Sequence, residues 1–186
     1  MNNPEITLVN YHGKNIRLRP LKQDDMQHTL RWRNDPEVRE YAMGYRFPVT
    51  ELMDEQWYKT ALQGQGRNDI VYTIEHIESG TPIGLAYLKH IDWLHRTCDF
   101  GISIGEKQYH GKGYAQEVMQ LLFNYAFNCI NLRKICIQIV AYNKKAIGLY
   151  KKMGFKIEGQ QKEQIYLNDQ YHDLIFMALF RKDFLH

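Results

Sequence analysis

The stretch Gln108-Tyr109-His110-Gly111-Lys112-Gly113-Tyr114-Ala115 constrains this chain more than any other. It stands between a segment that alternates every second residue, Thr97 to Ile104, and one with apolar residues at helical spacing, about Gly113 to Ile130. Two glycines one residue apart let the backbone turn sharply and come close to a ligand. The helix that follows turns its free N–H groups and positive dipole end toward that turn. Strand, glycine turn and helix in this order make a cradle for phosphate oxygens. A P-loop is excluded, because five residues separate Gly105 from Gly111 and Gly113 stands where Ser or Thr would bind magnesium. A dinucleotide fingerprint is excluded too, since no third glycine follows at the required offset. The plainer alternative is a loop that only turns the chain.

The remaining elements follow from period and punctuation. Ile16-Arg17-Leu18-Arg19 alternates and stops at Pro20, an opening strand. A helix runs from Asp24 or Asp25 to about Arg33, and a second, short one from Glu37 to Ala42 behind Asp35-Pro36. Thr50 is positioned to cap a third helix that ends at Gly64-Gln65-Gly66. Strands are expected from about residue 70, over Ile83 to His90, over Thr97 to Ile104, over Lys134 to Ala141, and twice more between Phe155 and Phe180. Asn143 to Met153 reads as a helix closed by Gly154. In the helix after Gly113, Val118, Leu121, Leu122, Tyr125, Ala126 and Cys129 form the expected buried stripe. The class is mixed α/β, with most strands in one sheet.

Composition removes several functions. The 186 residues suit one domain spanning 1–186, and 44% hydrophobic with 24% charged residues fill a core and keep it soluble. A net charge of +3 is too small for a nucleic-acid partner. The longest apolar run, Leu174 to Phe180, is seven residues against the roughly 20 a bilayer needs, so no membrane partner is expected. Three cysteines without a C-x-x-C pair read as free thiols in a reducing, cytoplasmic setting. His90 and His95 are five apart with no Cys/His cluster elsewhere, so no metal is expected.

A second constellation lies at Asn143 to Tyr150. Asn143, at a strand end, can cap the following helix or bond an amide of a ligand on the sheet edge. Tyr150 is two turns on, on the same face. A phenol there can donate a proton to a leaving group, or be a core aromatic beside Ile147. The lysines at 144, 145, 151 and 152 make a solvated face that also suits phosphates.

Gln108-x-x-Gly111-x-Gly113, then Asn143, then Tyr150 ahead of Met153-Gly154-Phe155, resembles the GNAT N-acetyltransferases. Within them the chain is most similar to the branch holding ribosomal-protein N-terminal and bacterial spermidine acetyltransferases. Arg31 to Val38 also resembles enzymes acting on amino-sugar nucleotides. The resemblance implies a mostly antiparallel sheet, splayed at the cofactor site and flanked by helices. It implies that Ile102, Ser103 and Ile104 pair with the pantetheine arm of acetyl-CoA, that amides from Gln108 through Ala115 hold its pyrophosphate, and that Asn143 and Lys145 contact it. Tyr150 would protonate the leaving thiolate after direct attack by a neutral amine, with a strand amide near Ile102 or Ser103 on the oxyanion. The amine must lose a proton, and Asp99, on one face with Gly101 and Ser103, is the first-placed acceptor; a strand-edge ion pair is its equal alternative. Glu75, Glu37, Glu40 and Tyr41 come from segments that wall the acceptor pocket in the family. The acceptor is a small-molecule amine, among them a polyamine; an amino-sugar nucleotide, a protein N-terminus and a non-catalytic acyl-CoA sensor are the alternatives. A homo-oligomer is compatible with the sequence.

Overall fold

The computed structural model describes residues 11–40 and 47–184. Its elements are β1 (Ile16–Pro20), α1 (Met26–Asn34), α2 (Pro36–Glu40), α3 (Glu51–Gly64), β2 (Ile70–His76), β3 (Thr81–Asp92), β4 (Thr97–Ile104), α4 (Tyr114–Asn124), β5 (Lys134–Val140), α5 (Lys144–Lys152), β6 (Lys156–Leu167), β7 (Gln170–Phe180) and α6 (Arg181–Phe184). Seven strands form one sheet in the order β1-β2-β3-β4-β5-β7-β6. Neighbours are antiparallel except β4 and β5, which run parallel.

That parallel pair fixes the site. β4 and β5 are in register only at Thr97–Lys134, Cys98–Ile135 and Asp99–Cys136. Beyond Asp99 each strand keeps its outer partner. β4 stays on β3 as far as Ile104–Gly84, and β5 stays on β7 as far as Val140–Leu174. The sheet therefore opens into a V whose inner edges, Gly101–Ile104 and 137–140, face each other without pairing. Gly84 permits this path, because a β-carbon there would run into the Ser103 carbonyl of β4.

Alternation divides the side chains between two layers. On one side α4 and α5 cover Ile16, Tyr72, Leu88, Phe100, Ile135 and their neighbours. On the other, α1 and α3 cover Leu21, Trp32, Ala61, Val71 and Leu85. The stripe of α4 differs from the expected one. Met119, Phe123 and Phe127 are fully buried beside Val118, Leu122 and Ala126, whereas Leu121 and Tyr125 are partly buried and Cys129 is exposed. After Asn124 the helix widens into a π turn over Tyr125–Cys129, which shifts the phase of its last residues. Thr50 caps α3 as expected, its side chain accepting from the Met53 amide. No described helix is long and apolar enough to cross a membrane.

The α1–α3 layer is seated by buried ions rather than by apolar contact alone. Asp25 accepts from Arg19 (2.7 and 2.8 Å), the Lys22 amide (2.9 Å) and Thr73 (2.8 Å). Asp54 accepts from Thr29 (2.7 Å) and Arg33 (3.1 Å), and Arg33 lies 3.8 Å above the Trp57 ring. Such pairs fix how the layer sits on the sheet, because breaking one strands the other charge.

Candidate active site

The loop after β4 opens with a single 3₁₀ turn, Lys107–Tyr109, followed by glycines in left-handed conformation, Gly111 at φ 75° and Gly113 at φ 84°. The turn consumes two amides: Tyr109 donates to the Glu106 carbonyl and His110 to that of Lys107, both at 3.0 Å. The amides of Gly111, Lys112, Gly113, Tyr114 and Ala115 have no partner among the described residues, and α4 begins directly beneath them. Five consecutive amides, 111–115, are thus unpartnered among the described residues, while those of Tyr109 and His110 are committed inside the turn. A β-carbon at Gly111 or Gly113 would meet nothing within 4 Å, so the glycines serve backbone shape and open space.

Side chains of the same loop hold it in place. Tyr109 and Tyr114 pack around His76, with centroids 5.0 and 5.6 Å away, and Tyr114 meets His76 Nε2 at 3.3 Å. His110 Nε2 bonds the Ile104 carbonyl at 2.8 Å, tying loop to strand. The sequence gives no hint of this ring's structural duty, because its partner is a backbone oxygen. Lys112 sits with its ammonium 5.3 Å from the Tyr109 ring centroid.

The other arm of the V ends at Asn143. Its Oδ1 accepts from the Ala146 amide at 3.1 Å, so it caps α5, and Nδ2 is left without a partner among the described residues. Lys144 and Lys145 are exposed. Tyr150 is 9% exposed, with its ring against Phe100 and Phe155 (centroids 6.3 and 5.4 Å). Its hydroxyl bonds no described residue, yet no buried side-chain oxygen is left unsatisfied, so that oxygen must reach open space. Burial pushes the phenol up to about 12, so it keeps its proton at neutral pH.

On the opposite face, cross-strand pairs Lys89–Asp99, Tyr87–Gly101 and Leu85–Ser103 put Asp99 at the apex of the V. Its Oδ2 lies 2.9 Å from His90 Nδ1. Glu75 is buried, with both oxygens engaged by Arg17 and Arg19. Glu37 pairs with Lys107 at 3.0 Å, as does Asp35 at 2.9 Å. Tyr41 lies outside the described residues. The site was not fully legible in sequence at one further place. α2 bridges the mouth of the V, held to the β4 arm by Lys107 and to the β5 arm by the Tyr142 hydroxyl, which donates to the Glu40 carbonyl at 2.6 Å. Glu106, also buried, takes the Trp32 indole N–H at 3.0 Å and Arg31 beside it. Among the described residues no group of three metal-binding side chains is assembled.

The splayed sheet is that of an acetyl-CoA-dependent N-acetyltransferase, and the chain belongs to the acetyltransferase (GNAT) domain family, whose pattern matches residues 15–156. It is 30% identical over 171 residues, 91% of this chain and 88% of the relative, to the spermidine N(1)-acetyltransferase of Escherichia coli K12. It is 29% identical over 86 residues (46% and 44% of the two chains) to the ribosomal protein uS5-alanine N-acetyltransferase of the same bacterium. Its fold matches a crystal structure of spermidine N-acetyltransferase from Vibrio cholerae in complex with CoA and spermine, with TM-score 0.85 and 25% identity over 94% of this chain and 100% of that one. The expected family and the splayed sheet are therefore both found.

Proposed function

We propose that the protein moves the acetyl group of acetyl-CoA onto a primary amine of a small polyamine by direct attack. One observation carries the reading: where β4 leaves β5 after Asp99, Phe100 packs against Tyr150, whose hydroxyl bonds no described residue and keeps its proton at neutral pH. Amides of 111–115, at the start of α4, hold the pyrophosphate. The open edge of Ile102–Ile104 carries the pantetheine arm, and an amide near Ile102 or Ser103 faces the developing oxyanion. Asn143 Nδ2 and Lys145 contact the carrier from the α5 side. As the amine nitrogen bonds the carbonyl carbon and the C–S bond breaks, Tyr150 delivers its proton to sulfur. Asp99 belongs to the unit that takes the amine's proton.

The polyamine acceptor is favoured by the relatives' named substrates. One feature favours a second reading, an amino-sugar nucleotide. On the acceptor face Asp25, Glu75, Asp54 and Glu106 are each matched to an arginine, which leaves little uncompensated negative charge for a polycation. CoA release measured with spermidine, spermine, amino acids, a nucleotide-linked amino sugar and an N-terminal peptide separates these. Turnover on spermidine or spermine at least tenfold above the other acceptors supports the first reading. Turnover confined to the sugar nucleotide establishes the second. CoA-induced thermal stabilisation without turnover on any amine would leave an acyl-CoA sensor.

A further inference from the structure

β3 does not run smoothly into its turn. The β3–β4 register breaks between Lys89 and Asp92, and His90, within that break, adopts φ 50°. A non-glycine residue in the left-handed region is uncommon, and a bulge re-aims a side chain, both features that gather near active sites. Here the irregular backbone is pinned by the His90 amide, which donates to Asp69 Oδ1 at 2.9 Å. The outcome is that the ring is turned onto Asp99, the last residue of β4 that still pairs with β5.

A carboxylate oxygen only accepts, so the 2.9 Å contact between Asp99 Oδ2 and His90 Nδ1 places the hydrogen on that nitrogen. The lone pair is then on Nε2, and the ring, 77% exposed, presents it to solvent at the apex of the V. A carboxylate that fixes an imidazole's tautomer and stabilises its cation is the arrangement by which an imidazole serves as a general base. Lys89 stands opposite Asp99 on β3 but turns its ammonium over the Tyr87 ring at 4.6 Å. Cys136 is beside Asp99 on β5, with its thiol pushed up by burial, and Asp69 faces the His90 backbone. Arg33 acts on Lys89 through its charge from α1. Of these neighbours only Asp99 bonds the ring.

We propose that His90 Nε2 is the proton acceptor of the acetyl transfer and that Asp99 is its positioning residue. This rests on the N-acetyltransferase reading and names the atom that reading leaves open. The acceptor ammonium gives one proton to Nε2 through a bridging water, which frees its lone pair. Nitrogen bonds the carbonyl carbon, the C–S bond breaks, and Tyr150 protonates the sulfur. The second nitrogen proton returns through solvent to the Tyr150 oxygen. His90 then releases its proton to bulk water, so one proton leaves per ammonium acetylated.

The test uses His90→Gly, which removes the ring while suiting the left-handed backbone, and His90→Asn, which also tolerates it. Both should melt within a few degrees of the parent and bind CoA within twofold. Each should lose about 100-fold or more in kcat/KM, at the low end of general-base contributions, together with the acid limb of the pH profile. Added imidazole should restore activity to His90→Gly, a response that a purely structural role would not give. His95 meets Asp92 at 2.8 Å inside the following turn, so His95→Gln should leave the profile unchanged. Retention of kcat/KM within threefold in both His90 variants, with the acid limb intact, overturns the proposal. Loss in Asp99→Asn without loss at His90 also overturns it and assigns the proton to the carboxylate itself. Absence of transfer by the parent protein to any amine is a different result, visible before any variant, and removes the underlying reading instead.

Discussion

The rings of Tyr150 and Phe100 meet edge to face, 6.3 Å between centroids and 83° between planes. Phe100 is the first β4 residue past the last pairing with β5, so this contact sets a phenol against the point where the sheet divides. Tyr150→Phe preserves that packing and removes only the hydroxyl, which no described residue bonds. Turnover should fall by about 100-fold or more, as expected for loss of a general acid. CoA affinity and melting temperature should stay near the parent values. Steady-state kinetics with calorimetric CoA titration checks both halves, and unchanged turnover would remove Tyr150 from the reaction.

Gly113 and Gly105 should respond to alanine in different ways. At Gly113 the added carbon has room but φ 84° disfavours it, costing about 1–2 kcal/mol. The lost left-handed turn also moves the bare amides, so KM for acetyl-CoA should rise several-fold. At Gly105 the added carbon would fall inside the Trp32 indole, which donates to Glu106 next door. Overpacking of this kind costs about 1–3 kcal/mol. Thermal melts and KM measured together should show a lowered melting temperature for both and a carrier-specific KM change mainly at Gly113.

Asp25 links pH to stability in acid. Burial alone would raise its carboxyl, but hydrogen bonds from Arg19, the Lys22 amide and Thr73 outweigh it and hold the group below the usual carboxylate range. Its contribution is therefore complete above the ordinary carboxylate range and is lost as pH falls through the lowered value. Asp25→Asn should cost about 1–3 kcal/mol at neutral pH, because Arg19 loses one of its two buried counter-ions and keeps Glu75. Urea unfolding should also show a shallower acid decline in the variant than in the parent; parallel declines would contradict the assignment.

The alkaline side is set by phenols. Burial pushes Tyr11 and Tyr150 up to about 12, and raises Tyr72 and Tyr87 as well. Unfolded phenols ionise near pH 10, so the unfolded chain releases protons before the folded one and stability declines from about pH 10 to about pH 12. Denaturant midpoints across that range should fall, with the buried phenols ionising as the chain unfolds in the tyrosinate absorbance. Ionisation of every tyrosine near pH 10 without unfolding would contradict the burial.

Local rules were sufficient wherever a neighbour in sequence supplies the physics. Thr50 and Asn143 cap the helices that follow them, and β4 spans the same residues, Thr97–Ile104, that alternation marks. Glycine spacing locates the loop of left-handed glycines and bare amides because backbone shape is a property of that stretch itself. The exceptions are of two kinds, local turns that no glycine or proline marks and contacts with distant partners. Tyr109 and His110 lose their amides to a 3₁₀ turn, the π turn after Asn124 re-phases the buried stripe, and Glu75 meets two arginines from β1.

The chain's own order of residues determined the elements, their caps, the amide loop and the family, since these depend on periodicity and on residues a few positions apart. Only the tertiary structure decided where β4 leaves β5, which acids are neutralised by arginines, and that a strained His90 faces Asp99. Those relations join residues from separate strands and helices, and no spacing along one strand or helix encodes a distance across a sheet.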